Sequence, residues 1–271
     1  WQHVNARVAD LARSRFNLAT LDQVILTRTR LTEAELPGLN LDGVDLSYAQ
    51  LAKANLNGTS LKNAHLTGAN FYGAHMASVD LSDARAEGTN FGEATLSQAK
   101  LNRTQLRDSR FDEASLNEAS FDGAQLSSVS FINAQCSLTK MEGARLDDAR
   151  LEGSVWRGAH IKNCSFQGAD LVRADFSEAQ IEGGEWAESQ WTELILEKAT
   201  LLSINAVGVQ AEKIQATDSS LTDVDLSGAR LNEADFSRGQ FTRCTLTDSH
   251  LNQATIRDAS LEESILKGAI L

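Results

Sequence analysis

The residues that most often carry chemistry in proteins are histidines, cysteines and adjacent carboxylates, and this chain has all three. The five histidines are His3, His65, His75, His160 and His250, and the three cysteines are Cys136, Cys164 and Cys244. Neighbouring carboxylates occur at Asp112-Glu113, Asp147-Asp148 and Glu262-Glu263. Such groups ligate a metal ion or exchange protons with a substrate only where the fold brings them together.

A spacing that runs through the whole chain decides whether these groups meet. Every fifth residue from position 1 to position 271 is apolar, and these positions hold all the Phe, Trp and Met residues. The residues two places earlier are small, hydroxyl-bearing or aliphatic, and neither class contains a charged residue. This pattern separates a dry interior from a wet surface, with two residues of each five inside and three outside.

Neither regular element tolerates a period of five. In an α-helix five residues advance about 500°, which spreads the apolar stripe around every side. In a flat strand an odd spacing alternates between the two faces. A chain that turns after every five residues meets the requirement, and four such units form a 20-residue square coil. The length then predicts about 13 coils, stacked at roughly 4.8 Å into a rod of roughly 65 Å.

Glycine marks the place where each unit is expected to turn. It is frequent two residues after the central apolar residue, as at Gly43, Gly58 and Gly123, and Asn or Asp occupies the same place at Asn63 and Asp83. These residue types tolerate a positive φ, so this position is predicted to form the tight corner.

The units resemble those of a known family. The segments Ala54-Asn55-Leu56, Ala69-Asn70-Phe71 and Ala174-Asp175-Phe176 resemble the A(D/N)LXX unit of pentapeptide repeat proteins, and the resemblance covers the full chain. It implies an all-β fold, a right-handed quadrilateral β-helix, and the handedness rests on the resemblance alone. We expect residues 1–271 to form a single domain of this kind, excised from a longer chain.

Residues 20 apart should lie in one column of the coil. One column is expected to stack four aromatic rings in the core, those of Phe71, Phe91, Phe111 and Phe131. Other columns pair a large residue with a small one, namely Trp186 with Ala206 and Trp191 with Ala211. Residues 186–216 are therefore expected to keep the fold and distort the square.

The same columns keep the chemical groups apart. Four histidines fall on four different sides, which excludes a shared metal site or triad: His65, His75, His160 and His250. Cys164 and Cys244 lie roughly 19 Å apart in one column, too far for a disulfide, so the cysteines are expected to be buried free thiols. The carboxylate pairs lie on a convex, wet surface. The sequence therefore predicts no enzyme, no catalytic residue, no metal and no cofactor.

Charge and hydropathy restrict the partners. The net charge of −12 disfavours direct nucleic-acid binding and favours basic partners. No apolar run approaches the roughly 18 residues needed to span a membrane. Free thiols suit a reducing compartment, so we expect a cytoplasmic location, or delivery by a secretion system if an N-terminal part is missing.

The first function class is a protein–protein interaction scaffold or adaptor, and apolar residues at outward positions are its candidates. Ile265 and Ile270 lie in the last coil, which is expected to meet a second copy in a homodimer, another partner or further chain, because open solenoid ends expose unpaired edges. Ile195, Leu202 and Val207 form a second candidate patch.

The second class is a DNA-mimicking inhibitor of DNA gyrase or another type II topoisomerase. The family resemblance implies it, since the quinolone-resistance relatives resemble double-stranded DNA in width and negative charge, and an acidic rod suits a basic groove. Two features count against it. The sides centred on positions 1, 6, 11 and 16 of the coil carry −4, −3, −2 and −3, so the charge is spread. The frame also lacks the inserted loops of some topoisomerase-protecting relatives.

Overall fold

The computed structural model describes residues 4–16, 21 and 24–271. By its internal contacts the chain divides into two compact units, Trp1–Gln135 and Cys136–Leu271, called unit 1 and unit 2 below. The described residues of both units repeat one five-residue pattern, a bridged residue followed by a corner. That residues 1–271 form one domain stays a prediction.

Successive coils pair in parallel at a separation of 20 residues. In unit 1 the pairing takes the form of single bridges, such as the one between Asn55 and His75. The N–H of Leu56 donates to the carbonyl of His75 at 2.7 Å, and the N–H of His75 donates to the carbonyl of Ala54 at 2.9 Å. Bonds of this kind recur along the unit, so the backbone polar groups of one coil are satisfied by the next.

Unit 2 adds a parallel sheet of seven three-residue strands that follow one another in sequence order. The strands are β1 Lys140–Glu142, β2 His160–Lys162, β3 Gln180–Glu182, β4 Thr200–Leu202, β5 Ser220–Thr222, β6 Gln240–Thr242 and β7 Ser260–Glu262. The all-β solenoid class is confirmed. The sheet does not match the predicted count of about 13 coils, because its seven strands are separated by only six steps of 20 residues. Elsewhere in the described chain, residues 20 apart are paired by single bridges.

The corners are hydrogen-bonded turns. The N–H of Ala54 donates to the carbonyl of Leu51 at 3.0 Å, and Lys53, the third residue of that turn, has a φ of 59°. A positive φ at the third residue but not at the second, Ala52, is typical of a type II turn. Tyr48 and Leu138 occupy equivalent corners with φ values of 59° and 58°. The predicted corner position is therefore confirmed, and bulky residues adopt it as well as glycine.

The core contains the apolar residue of each five. This residue is buried at every such position from 26 to 251. The rings of Phe71, Phe91, Phe111 and Phe131 stack with successive centroid distances of 5.2, 4.8 and 5.1 Å, which confirms the predicted ladder. Phe121 meets two of these rings edge-on. Large apolar side chains thus fill the interior of unit 1 at contact distance.

Residues 186–216 keep the 20-residue register. The packing is irregular just before them, where Gly184 has a φ of 104° and a Cβ would lie 2.0 Å from the carbonyl oxygen of Cys164. The ring of Trp186 stacks on Phe166 at 3.9 Å, and a cavity of about 10 Å³ lies beside Trp186 and Trp191. Two neighbouring indoles are thus accommodated without loss of register.

Candidate interaction surfaces

Each coil has four sides, named here by the centres of their five-residue units. Side A is centred on residue 41, side B on residue 46, side C on residue 51 and side D on residue 56. Each centre recurs every 20 residues in both directions along the chain. Every unit ends at its own corner, so residues on different sides belong to separate parts of the surface.

The groups that could do chemistry are dispersed. The described histidines are exposed and lie on sides B, D, A and C in the order His65, His75, His160 and His250, while His3 lies outside the described residues. Nowhere in the described ranges are three or more His, Cys, Asp or Glu side chains placed to hold a metal ion.

The three cysteines are buried and none forms a disulfide bond, which confirms the predicted thiols. Burial raises the pKa of the Cys136 thiol well above its ordinary value, and it raises the pKa of Cys244 as well. A neutral buried thiol is a poor nucleophile, so these cysteines belong to the core.

Two of the adjacent carboxylate pairs serve the fold. Asp112 is 2.9 Å from the guanidinium of Arg110 and accepts hydrogen bonds from the Ser130 hydroxyl and from a backbone N–H one coil later. Asp147 is held in the same way by Arg145 and by the hydroxyl of Ser165. These carboxylates join neighbouring coils.

The predicted apolar patch is divided among three sides. Ile195 is half-buried on side D, Leu202 is 37% exposed on side A, and Val207 is 39% exposed on side B. The three residues occupy successive five-residue units separated by corners. The structure therefore does not bring them onto one side, and each is a separate candidate contact.

The last coil exposes apolar side chains. Ile265 is 54% exposed on side B and Ile270 is 48% exposed on side C. A cavity of about 150 Å³ also lies in this part of unit 2, lined by the buried Leu251 and by the exposed Ile256 and Leu271 among other apolar residues. The two candidate isoleucines do not line it, so the cavity and the candidate contacts are distinct features.

Net charge is unequal between the two units. Residues 136–271 contain 13 Lys and Arg against 22 Asp and Glu, and therefore carry −9 of the total of −12. The side totals for the whole chain conceal this difference, because they add both units together. An acidic surface must accordingly be sought in unit 2.

Ion pairs between neighbouring coils neutralise part of three sides of unit 2. Side A has two such pairs, and so do sides C and D: Lys162–Glu182 and Arg243–Asp223 on A, Arg173–Glu152 and Lys213–Glu233 on C, Arg157–Asp175 and Arg238–Asp218 on D. Side B has a single ion pair, between Arg145 and Asp147.

The remaining carboxylates of side B form what we call the acidic side of unit 2. Between positions 148 and 248 this side contains no Lys or Arg, and its carboxylates belong to Asp148, Glu185, Glu188, Asp225 and Asp248. All except Asp225 are exposed. Val207 lies among them, next to Gly208, where a Cβ would meet open space. The acidic side therefore combines unneutralised charge with one exposed apolar side chain.

Side B of unit 1 has the opposite balance, and we call it the arginine side. It carries four arginines, Arg7, Arg28, Arg85 and Arg107, against three carboxylates. The four arginines are exposed, and within the described part of the chain none forms an ion pair. The guanidinium of Arg28 lies 5.6 Å from the centre of the exposed Tyr48 ring, a cation–π distance.

Comparison with known families agrees with the repeat geometry. The family model "Pentapeptide repeat region" matches residues 54–131, and the model "Pentapeptide repeats (8 copies)" matches residues 9–47, 144–183, 214–248 and 240–271. The chain belongs to the pentapeptide repeat family. The described residues contain no helix long and apolar enough to cross a membrane.

Several solved structures are similar to this chain. A trypsin-treated variant of QnrB1, a plasmid-mediated fluoroquinolone resistance protein, is 21% identical over 65% of this chain and 85% of its own, with a TM-score of 0.43. HetL, involved in heterocyst differentiation regulation in the cyanobacterium Nostoc sp. strain PCC 7120, is 22% identical over 99% and 90%, with a TM-score of 0.28. No curated protein matches the chain.

Proposed function

We propose that this chain is a non-enzymatic scaffold or adaptor that binds a basic protein partner through the acidic side of unit 2. One observation carries the proposal: from Asp148 to Asp248 the carboxylates of this side form no ion pair within the described residues, whereas ladder ion pairs occupy the other three sides. Unneutralised surface charge steers an oppositely charged partner and selects against acidic ones.

The acidic side offers a defined mode of contact. Glu185 and Glu188 lie on either side of Trp186 and Ala187 within one five-residue unit, and Val207 and Gly208 follow one coil later. Small residues let a partner's backbone approach, while the flanking carboxylates receive its Lys or Arg side chains. The partner expected from this arrangement is a segment with basic residues around an apolar one.

The other candidate contacts belong to the same proposal. Ile265 and Ile270, exposed in the last coil, are proposed to meet a protein partner or a second copy, and Ile195 and Leu202 are proposed as separate contacts on sides D and A. A cytoplasmic location is supported by the three buried free thiols, which a reducing compartment preserves.

Selection from a displayed library of random peptides tests the scaffold proposal. We expect the chain to enrich peptides that carry Lys or Arg around an apolar residue, and we expect a Glu185→Lys, Glu188→Lys, Val207→Asp variant to lose them. A Glu193→Lys, Glu212→Lys variant changes the charge on side C by +4, against +3 for the first variant, and should retain them. Absence of enriched peptides, or equal binding by both variants, would overturn the proposal.

A second candidate function is mimicry of DNA toward a type II topoisomerase. The concentration of −9 within residues 136–271 favours it, since a basic DNA-binding groove attracts dense negative charge. A gyrase supercoiling assay with titrated protein separates the two candidates. Inhibition or protection that the side B variant abolishes would support mimicry, and no effect at micromolar protein would leave the scaffold.

A further inference from the structure

The arginine side of unit 1 and the acidic side of unit 2 share three properties. Both lie on side B, both have exposed charges without ion pairs, and both expose an apolar group, Tyr48 in unit 1 and Val207 in unit 2. Their net charges are opposite, at +1 for side B of unit 1 and −4 for side B of unit 2. The two sides are therefore complementary in charge.

We propose that the chain associates with itself, the arginine side of one molecule docking on the acidic side of a second copy. The inference rests on the proposed function in treating the acidic side as a docking surface, and it names the partner. Each copy carries both sides, so every copy offers either of them to another copy. The contact does not involve Ile270 of the last coil, which lies on side C.

Two of the three carboxylates of the arginine side are hydrogen-bonded to neighbouring Ser or Thr residues and not to its arginines. Asp45 accepts hydrogen bonds from Ser47 and Thr27 within its own side, and Glu87 accepts one from the Thr67 hydroxyl at 3.2 Å. Arg85 and Arg107 are exposed and have no such partner among the described residues. Their planar guanidinium groups suit bidentate contact with carboxylates.

The repeat also matches the spacing of the two sides. On the arginine side and on the acidic side, successive coils are 20 residues apart in sequence and roughly 4.8 Å apart in space. Charged residues on both sides are therefore separated by multiples of the same distance. The exposed Tyr48 ring and Val207 add apolar contact, which charge alone does not supply. A complex of this kind is expected to weaken with salt, since exposed pairs are screened.

Sedimentation velocity on the full chain tests the proposal through two charge-reversed variants. The first carries Arg28→Glu, Arg85→Glu and Arg107→Glu, which makes both sides acidic. The second carries Glu185→Lys, Glu188→Lys and Asp248→Lys, which makes both sides basic. We expect the wild type to associate and each variant alone to do so at least about tenfold more weakly. An equimolar mixture of the two variants should associate again, because each then offers the charge that the other needs.

The control variant carries Arg15→Glu, Lys53→Glu and Lys100→Glu, the same charge change on other sides of unit 1, and should associate like the wild type. Where a triple variant loses the wild-type circular dichroism spectrum, Arg107→Glu and Glu188→Lys replace it in the same mixing design. A monomeric wild type, association unaffected by charge reversal, or no recovery in the mixture would each overturn the proposal. Peptide selection is independent of these outcomes, so failed self-association with retained peptide binding leaves the scaffold proposal standing.

Discussion

The indole Nε1–H of Trp156 donates to the hydroxyl of Ser154, two residues earlier, at 2.7 Å. Trp191 and Ser189 repeat this relationship at the same distance. Trp186 has Gly184 in the equivalent place, and its buried Nε1 finds no hydrogen-bond acceptor in the described structure. A serine two residues before a buried tryptophan thus accepts the hydrogen bond of its indole N–H. Gly184 has no side chain to do so for Trp186.

Loss of either serine should expose this dependence. We expect Ser154→Ala or Ser189→Ala to lower the free energy of unfolding by about 1–3 kcal/mol more than Ser219→Ala, because each leaves an indole N–H buried without an acceptor. Ser219 is the matched control, since its hydroxyl donates to the carbonyl three residues earlier at 2.6 Å and serves no tryptophan. Chemical denaturation followed by circular dichroism measures the difference. Equal costs at all three sites would contradict the role of the serines.

Gly184 should be intolerant of a side chain. A Cβ at this position would lie 2.0 Å from the backbone oxygen of Cys164, so Gly184→Ala is expected to cost about 3 kcal/mol through the displaced backbone. Gly208→Ala is the control, because Gly208 also has a positive φ but open space around its Cβ position, and should cost about 1 kcal/mol. Denaturation midpoints compare the two variants, and similar midpoints would show that the close approach is relieved without cost.

Adjacent residues of one unit should differ sharply in tolerance. Leu101 is completely buried and Lys100 is exposed. Leu101→Asp would place an unpaired charge in the core and should cost more than about 4 kcal/mol, whereas Lys100→Asp should change stability by less than about 0.5 kcal/mol. Soluble yield and thermal denaturation measure both effects. Comparable behaviour of the two variants would contradict the assignment of inward and outward positions.

A pH dependence is expected from Asp235. The hydroxyl of Ser237 donates to its carboxylate, and so does the backbone N–H of Ser237 at 2.9 Å. These hydrogen bonds hold the pKa of Asp235 below its ordinary value of 3.8. A lowered folded pKa means that the stabilising contribution is complete above about pH 3.8 and is lost as the pH falls through the folded value. Ser237→Ala should raise the pKa of Asp235, as followed by NMR titration of the carboxyl carbon. An unchanged pKa would remove the hydroxyl from this account.

Much of the fold follows from sequence periodicity. The period of five places Leu56 and Phe111 in the core, and the 20-residue column predicts the stacking of Phe71 on Phe91. Both results follow from burial, because a narrow interior admits only the residue types found at those positions. The corner was predicted from glycine preference, yet Tyr48 shows that the turn holds its φ for other residues too.

Sequence periodicity predicts less about the candidate interaction surfaces than about the fold. Summing charge over each whole side hid the contrast between Arg85 and Glu185, which share side B but lie in different units. Ladder ion pairs such as Arg243 with Asp223 depend on side-chain reach between coils, which periodicity does not specify. A corner falls between Leu202 and Val207, so the five-residue pattern already separates them, whereas their shared outward positions group them as one patch.

The 20-residue register determines how an insertion or deletion changes the outer surface. Removing residues 204–208 would preserve the apolar frame, because the frame repeats every five residues, yet everything after the cut would advance by a quarter turn. Asp225 would then leave side B for side A, and Asp248 with it. Removing one complete coil would shorten the stack and leave every later residue on its original side. A lineage that gains or loses a single unit therefore moves all later outer residues to another side in one event. A lineage that changes by whole coils keeps each of these residues on its side.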